Sequence, residues 1–135
     1  MSDHNRKPSV QYPYKAQVAP QSMAAAATAT SGWVAIGTAK WAALCALVGA
    51  GAGTLAVKLE QATSSGGAGA KDLATAAQVG ITALATGAAL ADVDLTQYMD
   101  VDNAFTHVRI SATMTGGAGT LASVALALGP ANFQA

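Results

Sequence analysis

The stretch from Thr54 to Ala62 reads TLAVKLEQA, and its residues alternate in polarity with a period of two. Leu55, Val57 and Leu59 fall on one face, Ala56, Lys58 and Glu60 on the other. A helix of period 3.6 would scatter these residues around its axis, so the segment predicts a half-buried β-strand. Two further stretches follow the same rule. Phe105 to Met114 puts Val108, Ile110, Ala112 and Met114 inward and His107, Arg109, Ser111 and Thr113 outward. Thr120 to Leu128 puts Ala122, Val124, Leu126 and Leu128 on one face. Weaker candidates are Trp33 to Ile36, Ala42 to Val48, Gln78 to Leu84 and Val93 to Tyr98. About seven strands in roughly a hundred residues predict an all-β fold, a small β-sandwich of about seven to eight strands. Its connectivity is open between a jelly-roll and an immunoglobulin-like order.

The breaks between these runs are rich in glycine, which supplies the positive φ that tight turns require. They are GAGAG at Gly49 to Gly53, SSGGAG at Ser64 to Gly69, and GGAG at Gly116 to Gly119. The first and third predict hairpin loops, and the longer second one predicts a mobile loop. Trp33 and Trp41 are expected to cover one end of a core that is poor in other large side chains. Cys45, in an apolar run, reads as a small core hydrophobe.

Upstream of Gly32 the alternation stops. Met1 to Pro20 holds Pro8, Pro13 and Pro20, two tyrosines and three of the seven basic residues. Such a segment reads as an extended N-terminal arm. Met23 to Thr30, MAAAATAT, reads as a linker that ends at the Ser31–Gly32 break. The expected division is therefore residues 1–30 as arm and linker and residues 31–135 as the sandwich. The arm offers Arg6, Lys7, Tyr12, Tyr14 and Lys15 as contact residues, because aromatic residues and arginine are enriched in protein interfaces. Its deletion through Pro20 is expected to leave the fold intact.

The 135 residues carry seven Lys plus Arg against seven Asp plus Glu, and only 10% of them are charged. Without a basic stripe to displace counterions from phosphates, a nucleic-acid partner is not expected. About a quarter of the residues are alanine, which fills volume with little burial energy per residue. The first twenty residues are too polar for a secretory signal, so synthesis in the cytoplasm is expected. The seventeen uncharged residues from Trp41 to Val57 only reach the lower limit of a membrane span, and they contain the glycine break and a strand-like alternation. No membrane partner is expected.

The sequence nominates no catalytic residue, and the chain is expected not to be an enzyme. GGAGAKD at Gly66 to Asp72 departs from a phosphate loop, which needs glycine before the lysine and a hydroxyl after it. GAGAG precedes a strand rather than a helix, so a dinucleotide fingerprint fails as well. His4 and His107 lack metal-ligand spacing, and Cys45 is alone. Asp92, Asp94, Asp100 and Asp102 gather around Tyr98 and read as a solvated strand end rather than a calcium loop. No metal and no cofactor are expected. Stacking of Trp33 or Trp41 on sugar rings supports the alternative of a host-receptor or glycan-binding β module.

Three strings, SGWVAIG near Trp33, GAGAGTLAVKLEQATSSGGAGAKDL from Gly49 to Leu73, and LTQYMDVDNAFTHVRISATMTGGAG from Leu95 to Gly119, resemble small virion proteins of tailed-bacteriophage structural modules. The resemblance covers roughly Gly32 to Gly129 and implies a capsid decoration or cement protein, a β-sandwich that binds the outer surface of the assembled head in many copies. The implied partners are the major capsid protein and the chain itself, as a homotrimer that would offset a core short of large side chains. The implied location is the virion surface, after synthesis in the host bacterial cytoplasm. The long Pro- and Tyr-containing start of this chain departs from the family pattern.

Overall fold

The computed structural model describes residues 14–73 and 80–129, with the backbone alone at residues 14, 15, 120 and 121. Among the described residues, eleven strands form two antiparallel sheets: β1 (Tyr14–Met23), β2 (Thr28–Thr30), β3 (Val34–Ala35), β4 (Trp41–Val48), β5 (Ala50–Gly51), β6 (Thr54–Ala62), β7 (Lys71–Asp72), β8 (Gly80–Leu84), β9 (Gly87–Asp94), β10 (His107–Thr115) and β11 (Gly119–Leu128). One helical turn, α1 (Leu95–Tyr98), and a 3-10 turn (Val101–Asn103) follow β9. The first sheet runs β1-β11-β4-β9, with β5 also on β11; the second runs β2-β10-β6-β7, with β3 on β10 and β8 on β6.

The short strands are pieces of longer columns. β2 and β3 lie along the same side of β10, and β7 and β8 along the same side of β6, while β5 continues the β4 column beside β11. Eight columns result, and numbered along the chain they stack as 1-8-3-6 and 2-7-4-5. From one column to the next, only the step from β6 to β7 stays within a sheet; every other step between columns crosses the sandwich. This is the jelly-roll order, and it excludes the immunoglobulin order, whose successive strands pair within a sheet far more often.

The alternation seen in the sequence builds the core. Leu55, Val57 and Leu59 of β6 and Val108, Ile110, Ala112 and Met114 of β10 meet Leu44 of β4 and Val124 and Leu126 of β11, all fully or nearly fully buried. β6 pairs with β10 in an unbroken register from Leu55↔Met114 to Ala62↔His107, which keeps both apolar sets on the same face.

Several expectations need correction. Within residues 14–30, expected as arm and linker, Tyr14–Met23 and Thr28–Thr30 are strands of the two sheets: β1 pairs with β11, β2 pairs with β10, and Val18 and Met23 lie in the core. The glycine breaks at Gly49–Gly53 and Gly116–Gly119 are not hairpins but corners that carry the chain from one sheet to the other. They pack on each other, with Ala52 and Gly53 N–H both donating to the Ala118 carbonyl at 3.0 and 3.3 Å. The loop at Ser64–Gly69, expected to be mobile, is laced by hydrogen bonds: Thr63 N–H and Oγ1 donate to Ala68 O, Gly67 N–H to Ser64 O, and Ala68 N–H to Ser64 Oγ. Val93 to Tyr98 does not continue as a strand. Asp94 caps α1 by accepting from Thr96 N–H at 3.0 Å and Thr96 Oγ1 at 2.6 Å, and that turn ends the ladder. The uncharged run Trp41–Val57 is β4, a corner and part of β6, and among the described residues no helix is long and apolar enough to cross a membrane.

Candidate interaction faces

The two sheets turn very different outer faces to their surroundings. On the β2-β10-β6-β7 sheet the outward positions are largely polar, and the charged side chains on β6 and β10 are paired. Arg109 Nε donates to Glu60 Oε1 at 2.7 Å from the directly opposite residue, and its guanidinium lies 4.6 Å from the Trp33 ring centre. Lys58 Nζ pairs with Asp72 Oδ1 at 2.8 Å. Farther along, Thr28 meets Thr113 at 3.0 Å and Thr54 meets Thr115 at 3.4 Å across their strands. Cross-strand pairs of this kind each contribute a few tenths of a kcal/mol and leave a face compatible with water. Trp33 therefore belongs to this outer face, not to the end of the core, with Arg109 over one side of its ring. Any side chain at Gly67 would run into its indole.

At the end of that sheet lies a second polar cluster. Gln61, only 2% exposed, sends Nε2 to the carbonyls of Asp72 and Tyr98, both at 3.4 Å, while its Oε1 accepts from Asp100 N–H at 2.9 Å. This holds the segment after α1 against β6. Asp100 accepts from Lys71 Nζ at 2.6 Å and from Asn103 Nδ2, and Lys71 also lies 4.5 Å from the Phe105 ring centre. The Lys71 ammonium, and then the Asn103 amide, hold the Asp100 carboxyl below the ordinary carboxylate range. A depressed pKa means that the contact is complete above the ordinary carboxylate pKa and is lost as pH falls through the lowered one. Titration of the Asp100 carboxyl carbon by NMR is expected to give a midpoint below the ordinary aspartate value, and Lys71→Met to move it upward. An unchanged midpoint in the variant would contradict the pairing. Asp94 is used as a cap, and among the described residues no three His, Cys, Asp or Glu side chains gather as a metal would need.

On the outer face of the β1-β11-β4-β9 sheet, the positions of β11, β4 and β9 are mostly apolar. Across β11, β4 and β9 its rows run Ala127–Ala43–Asp92, Ala125–Cys45–Leu90 and Ser123–Leu47–Ala88, with Trp41 opposite Asp94 at one end. Trp41 is 41%, Leu47 47% and Leu90 80% exposed. Cys45, expected in the core, is on this face and partly exposed, because the inward positions of β4 are Ala42, Leu44, Ala46 and Val48. Trp41 starts the outward set for the same reason. Among the described side chains of the three strands, only Asp92 and Asp94 bring charge, both at one end of β9. Contiguous exposed apolar patches on a protein are candidate interaction surfaces, unlike single scattered hydrophobic residues.

The contact residues expected from the sequence have no described side chains. Arg6, Lys7 and Tyr12 lie outside the described residues, and Tyr14 and Lys15 open β1, with their side chains outside the description. The apolar face carries no recognisable motif, but it leaves a trace in composition. WAALCALV is apolar at inward and outward positions alike, whereas an antiparallel strand with one wet face alternates.

No family model matches the sequence, and no curated protein matches it. Among solved structures, the chain is similar to one in the structure of the infectious bursal disease virus Gx strain, with a TM-score of 0.46 and 10% sequence identity over 90% of this chain and 33% of that one. This chain thus spans about a third of the length of that neighbour.

Proposed function

We propose that this chain is a virion structural protein of the capsid decoration type, which binds the outer surface of an assembled bacteriophage head and stabilises it without catalysing a reaction. The observation that carries this reading is the contrast between the two outer faces: one is ion-paired and suited to water, the other is apolar and suited to burial against protein. The resemblance of the Gly49–Leu73 and Leu95–Gly119 strings to phage virion proteins supports it. So does the jelly-roll order, which recurs in viral capsid domains, although a fold alone does not define a function. In this reading the major capsid protein is the partner, and residues 1–13, with Arg6, Lys7 and Tyr12, make the attachment to the shell.

Rebinding to shells stripped of the protein tests the proposal. The full chain is expected to bind saturably and to raise the temperature at which the shells break. A chain starting at Tyr14 is expected to bind about tenfold more weakly, a loss of ~1.4 kcal/mol, with an unchanged circular dichroism spectrum. Failure of the full chain to bind, or binding by the shortened chain at full strength, would reject the attachment mode.

A further inference from the structure

We draw no further inference here: the strongest candidate, the apolar outer face that β11, β4 and the edge strand β9 form around Leu47 and Leu90, carries none because nothing in the structure shows what covers it.

Discussion

A chain that begins at Gln21 is expected not to fold, whereas one that begins at Tyr14 keeps the melting curve of the full chain. The first cut removes most of β1, the outer partner of β11. Val18, 3% exposed, leaves the core, at a cost of ~2 kcal/mol for its burial alone. Backbone hydrogen bonds to β11 go with it, at ~1 kcal/mol each, and Met23 loses the strand that holds it over the sandwich. The total reaches about 5 kcal/mol, the lower end of what a whole domain has to spare. Thermal denaturation followed by circular dichroism decides the matter. A sharp transition for the chain starting at Gln21, within a few degrees of the full chain, would mean that β1 adds nothing to the core. The sequence alone predicts that harmless outcome, so this truncation is where sequence and structure disagree most.

The reason β1 hides in the sequence is geometric. Val18 and Met23 are five residues apart, so in a regular strand they would face opposite sides. Register shifts between Val18 and Gln21 and between Gln21 and Met23 change the phase, and both side chains reach the core. Between them stands Pro20, tolerated because an edge strand need not donate from every N–H. A search for period two therefore fails on a strand whose period is interrupted by design of its edge. The central strands β6, β10 and β11 have no such interruption, and their alternation was readable residue by residue, including which of His107, Arg109, Lys58 and Glu60 face outward.

Two other features were hidden for different reasons. Val93 and Leu95 are both buried and two apart, so the pattern of a strand runs on past the point where Asp94 caps α1. A cap is one hydrogen bond among neighbours and leaves no periodic mark. The apolar outer face was hidden because hydrophobicity at both sets of positions in WAALCALV reads equally well as a fully buried strand. Only the sheet order puts β4 in a two-layer sandwich with nothing described over its second face. The arrangement of faces, and with it the candidate site, therefore depends on topology that local patterns do not contain.

Gly53→Ala is expected to lower stability by about 3 kcal/mol, while the same change at Gly32 stays within about 0.5 kcal/mol. The two glycines differ only in what surrounds them. A methyl group at Gly53 would collide with the Gly117 carbonyl oxygen and lie 2.8 Å from both the Gly117 carbonyl carbon and the Thr115 oxygen, all of them backbone atoms that no rotamer change can move. At Gly32 nothing lies within 4 Å of the added carbon. Relief at Gly53 requires the corner between β4 and β6 to back away from the corner between β10 and β11, which breaks the hydrogen bonds from Ala52 and Gly53 to Ala118. Gly51 adds a backbone cost to the same collision, since its φ of 150° lies where side chains are rarely tolerated and its added carbon would meet the Ala118 oxygen. Gly51→Ala is therefore expected to be at least as damaging as Gly53→Ala. Denaturant unfolding of the three variants checks the order. Equal midpoints for Gly53→Ala and Gly32→Ala would show that the corners are not in contact, and that the glycine-rich breaks serve the ordinary conformational needs of turns. A large loss at Gly53 alone of the two would show that GAGAG and GGAG are small because each is the other's packing surface.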